Sequence, residues 1–190
     1  MQPLTVADIR RPSVYEPVRS EARRRIVELK RPRRVALGDL LTLMFENRDT
    51  IRSVVEELVR AERIESEERI AEELEVFNAL VPGEDELSAT LFLEITDPAD
   101  LVPKLAELHG IETSVHVEVD GTRAERRFDE GRSRDDRTSA VHYLRFRLDP
   151  SQRAALMEGA EVAVVADHEH YRARTVLEDA QLQALRADLS

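Results

Sequence analysis

Two histidines one residue apart, flanked by carboxylates, are the side chains of this chain best placed to do chemistry: Asp167-His168-Glu169-His170-Tyr171. Imidazole ligates zinc, iron and copper through either ring nitrogen. Two imidazoles at a hairpin tip can face one point and hold a divalent metal, with Asp167 or Glu169 as a local third ligand and His116 or His142 reaching in from other strands. A catalytic metal site needs three protein ligands and an open position. The competing reading is a solvated turn, in which the imidazoles face water and Asp167 shapes the bend.

The remaining chemistry-bearing patterns do not occur in the sequence. There is no HExxH and no ExxH, so the chain is not a di-iron carboxylate bundle. GxGxxG, GxxxxGKS/T and GxSxG are absent, and six glycines leave no phosphate cradle of the glycine-rich kind. Cysteine is absent, which excludes disulfides, thiol nucleophiles and Cys-ligated clusters. His142 alternates with Leu144, Phe146 and Leu148 and is expected in the core. His116 alternates with Ser114, Glu118 and Asp120 and is expected to face solvent. His109 stands where a helix ends, a place that favours a cation without further purpose.

Charge is distributed unevenly along the chain. The net charge of −11 disfavours broad nucleic-acid binding, yet Arg10 to Arg34 is strongly basic and Glu46 to Glu86 strongly acidic. Two readings compete. The basic stretch pairs with the acidic helices, within the chain or across a homo-oligomer, or it binds a polyanion such as RNA through Arg23, Arg24 and Arg25. No aromatic stacking platform interleaves with those arginines, which weakens the RNA reading.

The elements that must position these groups fall into two halves. Residues 1–14 read as a flexible N-terminal arm, and 15–190 as a single α+β domain with a helical part at 15–82 and a sheet-containing part at 86–190. Val18, Ala22, Ile26 and Leu29 recur at helical spacing after Pro17, and Pro32 ends that helix. Arg34 to Ile64 reads as one long amphipathic helix with Asp39 at its N-cap. Leu40, Met44, Ile51, Val54, Val55 and Leu58 share an arc that also contains Asn47 and Arg48. An arginine on an apolar face must be paired, so Arg48 either ties this helix to a carboxylate or, with Asn47, lines an interaction surface. Ser66 caps a third helix along Ile70, Leu74 and Phe77.

In the second half, Ser88–Ile95 and Thr138–Leu148 read as strands, and Asp120-Gly121 joins Ser114–Val119 to Thr122–Phe128 in a hairpin. Asp97-Pro98 and Asp149-Pro150 start helices that stop at Gly110 and Gly159. Asp129 to Arg137 reads as a charged loop. A second hairpin spans Glu161–Leu177, and a helix follows from Glu178. Helices first and an antiparallel sheet with inserted helices second make an α+β fold, a helical region packed on a mainly antiparallel sheet. No apolar stretch approaches a membrane span, and the first residues, MQPLTVADIRRPSVYEPV, lack a signal-peptide pattern, so a cytoplasmic location is expected.

The phrases ALGD, MFENRDTI, LVRAERI, ELSATLFLEI and DHEHY resemble a bacterial family of uncharacterised proteins, domain of unknown function family 3501, over about Tyr15 to Leu185. The resemblance implies gene neighbours of the rubrerythrin-like and iron–sulfur kinds. Through them it implies a role in iron or peroxide metabolism, as an accessory protein for a redox or iron protein partner.

Overall fold

The computed structural model describes residues 1–128 and 138–190; the charged loop expected at 129–137 lies outside them. Among the described residues nine strands form two antiparallel sheets. One holds β1 (Arg34–Leu37), β2 (Leu41–Glu46), β3 (Glu86–Leu93), β7 (Val141–Arg147) and β6 (Glu125–Phe128), in that spatial order. The other holds β5 (Thr122–Arg123), β4 (Val115–Val119), β8 (Val162–His168) and β9 (Tyr171–Val176). The helices are α1 (Pro12–Tyr15), α2 (Arg19–Lys30), α3 (Arg48–Ala61), α4 (Glu67–Phe77), α5 (Pro98–Glu107), α6 (Ile111–Ser114), α7 (Pro150–Glu158) and α8 (Asp179–Leu189). The α+β expectation is met, with two sheets in place of one.

The long helix expected from Arg34 to Ile64 is a β-hairpin followed by a shorter helix. Leu37 pairs with Leu41 across a turn in which Gly38 has φ +69°, a conformation open to glycine. All six residues of β2 are buried, because β2 lies inside its sheet with both faces covered. A strand of that kind has no period of two, and its apolar residues happen to fall on a helical arc as well. The helix begins instead at Asn47, whose side chain accepts from the Thr50 N–H at 3.0 Å while Thr50 Oγ1 accepts from the Asn47 N–H at 2.8 Å. Asp39 is therefore a turn residue and not an N-cap. Val54, placed on the apolar arc, is 36% exposed.

Two cores hold the chain together. In the larger, Leu43, Phe45, Leu91, Leu144 and Phe146 of the first sheet meet Val117, Val162 and Val164 of the second, with Leu156, Leu182 and Leu185 from α7 and α8. Each such side chain, fully buried, contributes about 1.5–3 kcal/mol. The smaller core joins Ile51, Val55 and Val59 of α3 to Ile70 and Leu74 of α4 and to Leu4 and Ile9. Those last two residues correct the expectation of a flexible arm at 1–14. Leu4 and Ile9 are 3% and 6% exposed, and the Asn78 amide exchanges hydrogen bonds of 2.7 and 2.9 Å with the Leu4 backbone. Burial of the two apolar side chains outweighs the entropy of leaving the segment free.

Local signals in the second half are met closely. Asp149 caps α7 by accepting from the Ser151 and Gln152 N–H groups, and Gly159 ends it at φ +105°. Asp120 and Gly121, at φ 49° and 72°, turn the β4–β5 hairpin. The strand expected over Thr122–Phe128 divides at buried Ala124: β5 stays with β4, and β6 crosses to pair with β7 in the other sheet.

Candidate functional site

The polar groups at the start of α3 are tied to distant parts of the chain. The Asn47 amide donates to Asp188 Oδ1 at 3.0 Å, and the same carboxylate takes both terminal nitrogens of buried Arg33, one at 2.9 Å. Arg48 turns outward and pairs with Asp8 Oδ2 at 2.6 Å, while its Nε donates to the Gln2 carbonyl at 3.2 Å. The Arg48 hydrogen bond, with help from the Thr5 backbone and hydroxyl, holds the Asp8 carboxyl well below the usual carboxylate range. Arg48 thus has its carboxylate on a neighbouring element, and Asn47 is a buried helix cap.

The basic and acidic stretches pair within the chain. Arg10 grips Glu56 through Nε and Nη2, both at 2.6 Å, and its guanidinium lies 4.9 Å from the Tyr15 ring centre. Arg19 meets Glu57 at 3.0 Å, Tyr15 Oη donates to the same carboxylate at 2.9 Å, and Arg11 meets Glu67 at 2.6 Å. Burial and the charge of Glu57 push the Tyr15 phenol up to about 12. These pairs tether α1 and α2 to α3 and α4.

The tether does not close the space between α2 and α3. A groove of about 750 Å3 runs between them, walled by Val18, Ala22, Ile26 and Leu29 on one side and by Asp49, Arg52, Ser53 and Glu56 on the other. Tyr15 and Arg10 form one end. The α2 stripe expected from the sequence is present, yet no residue of α2 is buried. Arg25 reaches the groove and joins no ion pair among the described residues. Sequence reasoning placed Arg25 in the basic cluster but missed its pairing with this groove, because the opposite wall comes from a segment whose helix started elsewhere than expected.

In the structure the side chains of the histidine turn are engaged by the protein itself. His168 is 8% exposed; its Nε2 stands 3.1 Å from the His109 carbonyl, and its Nδ1 accepts from the His170 N–H at 3.2 Å. Both ring nitrogens are thus engaged by backbone. His170 is half exposed, 3.3 Å from Glu169, with its ring centre 5.7 Å from that of His168. Asp167 faces Arg123 and Arg172, each at 3.5 Å. Among the described residues no group of three His, Cys, Asp or Glu side chains is arranged to hold a metal ion. Tyr171 takes up the structural role in this motif: its hydroxyl donates to the Leu37 carbonyl at 2.8 Å and accepts from the Leu40 N–H at 3.0 Å.

The other histidines divide between expectation and correction. His142 is buried as expected, with Nε2 2.8 Å from both Thr138 Oγ1 and the Ser139 carbonyl. His116, expected in solvent, is 6% exposed and lines a small cavity with Arg123 and Arg126. Its strand face is polar, but side chains from β5 and β6 cover it, which the alternation of β4 alone does not reveal.

A helical N-terminal layer packed on two antiparallel sheets, with a charged interhelical groove, defines the class of protein. The chain belongs to the family described as protein of unknown function (DUF3501), whose model matches residues 3–189. It is similar along 100% of both chains to a crystal structure of a novel protein of unknown function from Burkholderia pseudomallei K96243, with 33% identity and a TM-score of 0.91. No curated protein matches the chain. No helix among the described residues is long and apolar enough to cross a membrane.

Proposed function

We propose that this protein is a cytoplasmic, non-enzymatic accessory protein that docks an acidic amphipathic helix of a redox or iron protein in the groove between α2 and α3. One observation carries the reading: α2 has an apolar stripe at helical spacing and no buried residue, and that stripe opens onto a groove of about 750 Å3. An amphipathic helix recognised in a groove supplies apolar anchors at the same spacing. Its apolar face would meet Val18, Ala22, Ile26 and Leu29. Acidic flanks would meet Arg25 and Arg52 at the rim. Arg10, Glu56 and Tyr15 are held to one another and keep that end of the groove in shape. The redox or iron character of the partner comes from the gene neighbours that the family resemblance implies.

The test is calorimetric titration of the protein with a purified rubrerythrin-like protein, the kind of partner that the family resemblance implies. Saturable binding that weakens at least about tenfold in Ile26→Glu supports the reading, since an apolar anchor replaced by a charge loses both packing and desolvation. Absence of binding, or binding equal in wild type and variant, removes it.

A further inference from the structure

Most charges that line the α2–α3 groove are already matched inside the chain. Asp8 meets Arg48, Arg10 meets Glu56, and Arg52 meets Asp49 at 3.1 Å. Glu21 and Arg25 line the groove as well, and both are exposed. Among the described residues neither joins an ion pair, with the other or with any third group. They stand one turn of α2 apart, on the same flank of the stripe formed by Val18, Ala22, Ile26 and Leu29. Val18, at the N-cap of α2, is 39% exposed.

That pattern is complementary to itself. When two copies of α2 lie antiparallel with their stripes facing, the same flank of each comes together. Glu21 of one copy then lies beside Arg25 of the other, and the reverse pair forms by symmetry. The apolar residues suit the same arrangement. Ala22 meets Ile26, a small side chain against a branched one, and Val18 meets Leu29. All these pairings centre on Arg23 and Arg24, so one two-fold axis serves them, as an isologous interface requires. At about 100° per residue, Arg23 and Arg24 themselves point more than a right angle away from the stripe, which keeps their like charges out of the contact.

We propose that a second copy of this chain occupies the groove when no other partner is bound, α2 packing on α2 across a two-fold axis, and that docking of the partner displaces it. This rests on the reading of the groove as a docking surface and adds its regulation. An acidic flank of the incoming helix takes Arg25 from Glu21 of the other copy, and its apolar anchors take the stripe. α2 has 12 residues and is about 18 Å long. Two helices of that length make less than a standard interface, so the dimer is weak, with Kd on the order of tens of micromolar, and yields to a better-fitting partner.

The experiment is sedimentation equilibrium of the full chain at low ionic strength, from about 1 μM to about 1 mM. The expected result is a monomer–dimer equilibrium that weakens about tenfold in Glu21→Arg and in Arg25→Glu, since two attractions become two repulsions in each. The double reversal, Glu21→Arg with Arg25→Glu, should restore it. Both residues are exposed, so all three variants keep their melting temperature within a few degrees and the change reports on association. A chain that stays monomeric to about 1 mM overturns the proposal, as does a dimer that is equally strong in the single variants or is not restored in the double one. Addition of the rubrerythrin-like protein should convert the dimer to a complex with one copy of this chain; a complex that keeps both copies overturns the competition. A monomeric chain that still binds that protein through Ile26 leaves the docking reading standing without this one. A charge-dependent dimer that ignores that protein removes the docking reading and leaves the second copy as the occupant.

Discussion

The junction between β1 and β9 and the groove between α2 and α3 are both places where separate parts of the chain meet, and they meet in opposite ways. β1 is the edge of its sheet, and its outward carbonyls are taken one after another. Gln181 donates to Arg34 at 2.6 Å, Thr175 to Ala36 at 2.7 Å and Tyr171 to Leu37 at 2.8 Å. Side chains that take an edge's carbonyls in this way hinder another chain from pairing with it. Gly38 belongs to the same fit: a Cβ there would overlap the Tyr171 hydroxyl. At the groove, ion pairs hold the two walls in position while the α2 stripe between them stays unburied. The ALGD phrase, which reads as helical in the sequence, and Tyr171 at the end of the DHEHY phrase form two halves of one structural joint. Motif residues can mark where a chain must close, and the surface left open is where a partner is to be sought.

The largest effect in this contrast is expected at the closed joints. Asp188→Ala removes the carboxylate that pairs with buried Arg33 and holds the Asn47 amide. A buried cation left without its partner costs about 3–5 kcal/mol. Urea unfolding should show that loss as a lower midpoint at unchanged slope; a loss below about 1 kcal/mol would mean that water reaches Arg33 and the joint is not closed.

Next in size is Tyr171→Phe. It keeps the ring and deletes only the hydroxyl that bridges the Leu37 carbonyl and the Leu40 N–H. About 2 kcal/mol should go, since both backbone groups then lose a partner in a partly buried setting. Faster amide exchange confined to Leu40 and its turn is the accompanying sign, and an unchanged exchange rate there would contradict the stapling role.

His168→Ala should cost about 1 kcal/mol by freeing the His109 carbonyl and the His170 N–H. Elemental analysis of wild type and variant, purified without chelators or metal-affinity resin, should give the same metal content. A stoichiometric metal in the wild type that vanishes in the variant would reverse the assignment and restore the turn as a ligand set.

Local chemistry was legible in the sequence where it acts alone. Asp149-Pro150 and Asp97-Pro98 start helices because a side-chain oxygen meets nearby N–H groups, and Asp120-Gly121 turns a hairpin because both residues tolerate positive φ. Pairing of the basic and acidic stretches was legible in outline, though not which arginine meets which carboxylate. What failed depends on neighbours far along the chain. β2 carries no alternation because both of its faces are covered, so Leu41 and Met44 pass for part of a helical stripe. His116 looks solvated until β5 and β6 bring Arg123 and Arg126 over it. Asp188 gives no hint, from its place near the end of α8, that it anchors Arg33 and Asn47.

The smallest stability effect is expected at the groove, and its smallness is what sharpens the contrast. Ile26 is only half-buried on α2, so Ile26→Glu puts a charge where water already reaches and should change stability by no more than about 0.5–1 kcal/mol. The same substitution is the one expected to weaken docking at least about tenfold. If the melting temperature falls by ten degrees or more, about 2.5–5 kcal/mol for a chain of this size, α2 is part of the protein's own core and the groove is only an imperfect seam within it. If stability holds, the apolar stripe contributes nothing to folding that would explain its periodicity, and recognition of a second protein remains as the physical reason for Val18, Ala22, Ile26 and Leu29 to share one face.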